Sequence, residues 1–278
     1  MADRVRVLLV VKGHPYQRQP FYDVFDADTG IEWTLVEQPA ARALFHPDRA
    51  GEWDAYVMYD MPGITFTRGD PPAAFPEPPA DYVAGFEALL EAGKGMVFLH
   101  HAVCSWPAWE GMAEIIGGRF HYAPATLRGV AYPDSGYRLH QPHHVEVIDP
   151  THPIGAGLGD GFDITDELYM FPVFEDEVVP LMRTTYDVGD ASRFYSPYQA
   201  ISGRRDSNEG WTHPAGSPLV AWAKHARNSP VAYLEFGDSP DAYANAGFRR
   251  ALGNAIRWAA SPDAHAWARA RRIETGRD

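Results

Sequence analysis

Gly93-Lys94-Gly95-Met96-Val97-Phe98-Leu99-His100-His101-Ala102 constrains the fold more than any other stretch of this chain. It reads as a turn, a strand of bulky apolar residues, and two histidines where the strand runs out. The residues from Trp106-Pro107 to Ile116 then read as a helix, entered through proline and stopped by Gly117-Gly118. Strand, tight turn and helix, with a reactive side chain at the turn, is how an α/β sheet presents chemistry to solvent. Hydrolases and amidotransferases often place Ser or Cys there. This chain places His100 and His101.

The rest of the first half fits that unit. Val5 to Val11 is a continuous apolar run, as expected for a strand buried on both faces. Pro20 to Phe25 is a short helix candidate, and Ile31 to Val36 and Trp53 to Asp60 read as two further strands. Gly63 to Pro79 is a Pro- and Gly-rich loop without a period, long enough for a binding role. Asp81 to Glu91 sets Tyr82, Phe86, Leu89 and Leu90 on one helical face. The order β-α-β-β-α-β-α predicts a three-layer, doubly wound, mostly parallel sheet.

The second half is less regular. Val145 to Ile148 and Val178 to Thr185 are strand candidates. Leu219 to Lys224 and Pro230 to Gly237 are expected to pair as an antiparallel hairpin across Ala226-Arg227-Asn228-Ser229. Ala246 to Trp258 is a strong amphipathic helix, followed by an Arg- and Ala-rich helical tail expected to fray at its end. No repeat or linker divides the chain, so residues 1–278 are read as one domain.

Charge narrows the partners. The formal net charge of -13 disfavours nucleic acid, whose phosphates need a basic face, and anionic membranes. The apolar run at the N-terminus is too short for a membrane span and lacks a small-residue cleavage site. The single cysteine, Cys104, allows neither an intrachain disulfide nor a cysteine zinc cluster, and it suits a reducing cytoplasm. An exposed apolar sheet edge often supports a homodimer in this fold class, although no residue here singles one out. Eight Trp and fourteen Tyr supply the flat faces that sugar sites use, besides ordinary packing.

Candidate site residues gather at the expected ends of parallel strands, which share one edge of the sheet. His14 follows the first strand, Asp60 the third, and His100 and His101 the elbow. Glu167 and Tyr169, from Asp166-Glu167-Leu168-Tyr169, offer a carboxylate and a hydroxyl. Imidazoles with a carboxylate bind a divalent metal such as zinc, or move protons near neutral pH. His143-His144 is a further pair, readable either as ligands or as a solvent-facing strand entry. No Gly-x-Gly-x-x-Gly follows a strand, and no P-loop or Gly-x-Ser-x-Gly is present.

Taken in order, these motifs resemble the ThuA-like (trehalose utilisation) family. The resemblance is carried by Gly93-Lys94-Gly95 to Ala102, Ile116 to His121, Asp149-Pro150-Thr151-His152-Pro153-Ile154, Asp166 to Tyr169, Pro218 to Trp222, and Phe248 to Ala259. It implies a flavodoxin-like, class I glutamine-amidotransferase-like fold in which His100 occupies the position of the amidotransferase cysteine. It also implies carbohydrate metabolism, with trehalose-type or 3-keto sugars as substrates. Relatives usually carry Gly-His after the late strand, where this chain has Gly237-Asp238, and a small residue at position 101. Those departures suggest that His101 replaces an imidazole lost at Asp238.

The resulting expectation is an enzyme acting on a sugar or keto-sugar derivative. His100 and Glu167 would be its catalytic pair, and His14, Asp60, His101, Tyr169 and Asp238 would contact substrate. The alternatives are a sugar-binding or scaffold protein without catalysis, and an amidase using Cys104.

Overall fold

The computed structural model describes residues 4–276. The readings made on the first three residues, and the fraying expected at the last two, lie outside the described residues. The elements run β1 (Val5–Lys12), α1 (Arg18–Asp26), β2 (Ile31–Glu37), β3 (Ala55–Asp60), a small hairpin of β4 (Thr65–Phe66) and β5 (Ala73–Ala74), and α2 (Ala80–Glu91). Then come β6 (Gly95–Leu99), α3 (Glu110–Ile116), a hairpin of β7 (Ala125–Leu127) and β8 (Val130–Tyr132), β9 (Gly136–Val147), β10 (Gly161–Met170) and β11 (Val179–Thr184). The chain ends with α4 (Pro197–Ile201), β12 (Leu219–Ala226), β13 (Ser229–Leu234), α5 (Pro240–Ala244), α6 (Ala246–Ala259) and α7 (Pro262–Thr275).

One nine-stranded sheet carries the fold, in the order β10-β9-β11-β12-β13-β6-β3-β1-β2. Its five-strand half, β13-β6-β3-β1-β2, is parallel throughout. This is the doubly wound α/β core. Helices α1 and α6 pack on one face through Phe21, Phe25, Leu252 and Ile256, and α2 and α3 cover the other through Phe86, Leu89 and Ile115. Strands β1, β3 and β6 are buried on both faces, which is why their sequences are unbroken apolar runs. Gly95 has its own reason: a Cβ there would lie 2.0 Å from the Ala259 carbonyl oxygen, so only glycine lets α6 sit this close to β6.

The other half of the sheet is antiparallel. Strands β12 and β13 form the expected hairpin, closed between Ala226 and Ser229. Strands β9 and β10 are far longer than the short strand read at Val145 to Ile148. They stand at the end of the strand order, yet Glu167 and Tyr169 of β10 reach His100, just past the end of β6. In the β9–β10 ladder Asp166 pairs with Gln141 and Leu168 with Arg138, so β9 carries one extra residue, a bulge at Leu139-His140 opposite Glu167, with His140 at φ 48°. A bulge bends its strand and shifts the pairing around it, and Glu167 sits at that shift.

Candidate active site

The elbow follows β6 as a 3-10 turn over His100–Cys104, and α3 begins only at Glu110, later than the proline at 107 suggests. His100 has φ 50°, in the left-handed region. A non-glycine residue there is uncommon and is held by its surroundings. The hold is visible: the Tyr233 hydroxyl donates to the His100 carbonyl at 3.0 Å, and the His100 ring Nδ1 donates to the Glu235 carbonyl at 2.5 Å. The strained turn of a nucleophile elbow is therefore present, with an imidazole at its tip.

The Nδ1 contact fixes the ring. With the proton on Nδ1, Nε2 points away from the backbone into a group of polar side chains. The Tyr169 hydroxyl lies 2.9 Å from Nε2, Glu167 Oε2 3.1 Å and Asp238 Oδ1 3.6 Å. The Tyr169 ring also stacks on the imidazole with centroids 4.8 Å apart. Burial alone would lower the His100 pKa, but Asp238 and Glu167 outweigh it and hold the ring well above 6.5. Asp238 shows the reverse: burial pushes its carboxyl up, and His100 brings it below its ordinary value. Among the described residues, His100, Glu167 and Asp238 form a group of metal-ligand type whose donor atoms lie within 4.8 Å of one another.

A second layer of acids places these groups. Asp166 accepts the backbone N–H of Gly237 at 2.6 Å and of Asp238 at 3.0 Å, which fixes the loop after β13. Gly237 takes φ 114° at that turn, a conformation glycine adopts freely. Glu235 accepts the Tyr169 N–H through its side chain at 3.0 Å. Burial pushes Asp166 up to about 6 and Glu235 up to about 8. Sequence reading passed over Glu235, although a lone acid ending a buried apolar strand was the available signal. Asp166 was noticed beside Glu167 but given no task.

Of the residues singled out from sequence, His100, Glu167, Tyr169 and Asp238 come together. His14 lines the adjoining cleft with Phe120, Tyr122, Tyr137, Glu167, Tyr169 and Arg205. Burial lowers its pKa, which favours a neutral ring. His101 does not replace an imidazole at position 238. Its Nε2 faces the Tyr59 carbonyl at 3.2 Å, its ring lies against His14 at 4.7 Å, and Asp238 itself reaches His100. Asp60 is set apart. Its carboxylate accepts the Gln38 side-chain amide at 2.8 Å, and its charge bears on Tyr82 of α2 rather than on His100. Parity along β3 explains this, because Tyr59 takes the face that leads toward Gly237. His144 is half-exposed and pairs with Asp163 at 2.7 Å. Cys104 is buried, and burial pushes its thiol well above its ordinary value, which favours the protonated, less reactive form at neutral pH.

Among the described residues no helix is long and apolar enough to cross a membrane. A family model described as "ThuA: Trehalose utilisation" matches residues 76–259. No curated protein matches the sequence. Among solved structures, a ThuA-like protein from Parabacteroides merdae is 14% identical with a TM-score of 0.67, covering 93% of this chain and 91% of that one. A ThuA-like protein from Bacteroides uniformis is 17% identical with a TM-score of 0.62, covering 93% and 92%. A cytoplasmic protein from Salmonella typhimurium is 10% identical with a TM-score of 0.56, covering 91% and 98%. At these identities the likeness establishes the fold.

Proposed function

The chain belongs to the ThuA (trehalose utilisation) family, and from that premise we propose that it is an enzyme acting on a sugar or keto-sugar derivative by acid–base chemistry at His100. One observation carries the reading. An imidazole on a strained elbow aims Nε2 at two carboxylates and a tyrosine hydroxyl, beside an aromatic cleft. The cleft holds about 130 Å³, well below a drug-sized pocket, which suits one sugar ring better than a disaccharide.

A keto sugar has an acidic proton on the carbon beside its carbonyl. Glu167 takes that proton, and the electron pair moves to the carbonyl oxygen. The Tyr169 hydroxyl and the positive charge held at His100 Nε2 stabilise the oxygen as it becomes negative. Returning the proton to the former carbonyl carbon, while the hydroxyl proton of the adjacent carbon passes to the former carbonyl oxygen, isomerises the sugar. Expelling a leaving group at the next carbon eliminates it. Neutral His14 and the ring faces of Tyr122 and Tyr137 hold the substrate. A cytoplasmic location is part of this proposal, because the Salmonella relative is described as cytoplasmic.

The test follows solvent deuterium entering the position beside the carbonyl, by proton NMR, over a panel of ketoses and 3-keto glycosides. Exchange by the native protein, lowered by a factor on the order of 10² to 10⁴ in His100→Ala, is the expected result. Binding of the same sugars without exchange or product makes the protein a sugar binder instead. An unchanged rate in His100→Ala removes His100 from the chemistry.

A further inference from the structure

His100 Nδ1 lies 2.5 Å from the Glu235 carbonyl, so that nitrogen carries a proton, and Nε2 presents a lone pair whenever it releases its own. Facing it are Glu167 Oε2 at 3.1 Å and Asp238 Oδ1 at 3.6 Å, two further lone-pair donors when ionised. Three such atoms converge on one buried point: His100 is fully buried, and the Glu167 and Asp238 side chains are 7% and 14% exposed. Among them only the Tyr169 hydroxyl has a hydrogen to offer Nε2. Lone pairs gathered in this way repel one another unless a positive charge, the imidazolium proton or a metal ion that displaces it, sits between them.

We propose that His100, Glu167 and Asp238 hold one divalent transition-metal ion, zinc or manganese, through Nε2 and one oxygen of each carboxylate. Ligands about 2.1 Å from an ion stand about 3.0 to 3.5 Å apart in octahedral or tetrahedral geometry; the two separations from His100, 3.1 and 3.6 Å, are close to that, and all three donor atoms lie within 4.8 Å of one another. The surrounding bonds fit as well. Metal-bound histidine commonly donates its other N–H to a carbonyl, as His100 does to Glu235. On the Asp238 side, the backbone N–H of that ligand is anchored by Asp166. Three protein ligands leave coordination positions free, the pattern of a catalytic rather than a structural site, and the group lies beside the cleft. Mixed nitrogen and oxygen donors favour a borderline ion over calcium or magnesium.

This inference deepens the functional reading and rests on it only for the ion's task. There the ion supplies the positive charge that steadies the substrate oxygen, and Glu167 keeps its second oxygen for the proton. Binding itself is measured without carbohydrate. The full chain, freed of any affinity tag and treated with chelator, is titrated with zinc and with manganese by calorimetry, and with cobalt by visible absorption. The expected result is one ion per chain. Affinity should fall on the order of 100-fold or more in Glu167→Gln and Asp238→Asn, and stay unchanged in His144→Ala, which removes an exposed histidine–carboxylate pair. Both acid-to-amide variants keep side-chain volume, and a cooperative melt confirms that each has folded.

Absence of saturable binding by either ion, or affinity that survives both variants, overturns the inference. A protein that binds one ion yet exchanges no sugar proton upholds the metal centre and defeats the reading above. A protein that exchanges sugar protons at full rate in chelator, and binds no ion, does the opposite.

Discussion

The Asp166 carboxylate accepts the backbone N–H of Asp238 at 3.0 Å, so one buried acid sets where another points. Its second oxygen takes the Gly237 N–H, and both amides lie in the turn that closes over the site. Asp166→Ala strands these buried donors. A loss of about 1–3 kcal/mol of unfolding free energy in urea is expected, with His100-dependent activity falling alongside it. Full stability in that variant would mean that the turn holds itself.

Tyr169→Phe separates chemistry from packing. The ring stays stacked on His100, and only the hydroxyl 2.9 Å from Nε2 is lost. Turnover is expected to fall on the order of 10²-fold with KM little changed, while the melting temperature moves by a few degrees at most. A rise in KM alone would assign Tyr169 to binding.

Asp60 should give the protein a pH-dependent stability. Burial raises its carboxyl from 3.8 to about 7. Between those values the unfolded chain has released a proton that the folded chain keeps, so the contribution present below pH 4 is lost as pH rises, and the loss is complete above about pH 7. Asp60→Asn removes this dependence and still accepts from Gln38. Its unfolding free energy relative to the native chain should improve by roughly 2 kcal/mol between pH 5 and pH 8. A difference that stays constant with pH would show that Asp60 titrates normally.

Cys104 should be silent in the folded protein. It lies buried under the elbow, and its thiol is held protonated. A disulfide reagent such as DTNB at pH 7.5 is expected to label it only after denaturant is added. Rapid labelling of the native chain would reopen cysteine chemistry.

How far the sequence carried this structure depends on what each element reports locally. Strands buried on both faces announce themselves, and β1, β3 and β6 were legible for that reason. His100 was legible because polar rings seldom end such strands. Strand β9 was mostly missed, since Gly136 to His144 mixes arginine, glutamine, proline and three histidines into a partly exposed surface. The facing of Asp60 depends on register with its neighbours, which no local pattern records. The bulge opposite Glu167 is a relation between two strands and likewise has no signature in either. Glu235 is a lone charge at the end of an apolar strand, and its partners, the His100 ring on its carbonyl and the Tyr169 N–H on its side chain, lie on other elements that no local pattern names.

Strand β13 sits between β6 and β12, so the neighbour of β6 in the middle of the sheet is made about 130 residues after β6 itself. While a growing polypeptide has emerged only to about residue 228, β6 has an open margin and the elbow histidine lacks both the carbonyl at 235 and the acid at 238. The group around His100 is thus incomplete until Ser229 to Asp238 has joined the sheet, and a nascent or clipped chain lacking that stretch exposes an unpaired strand margin for chaperones to shield.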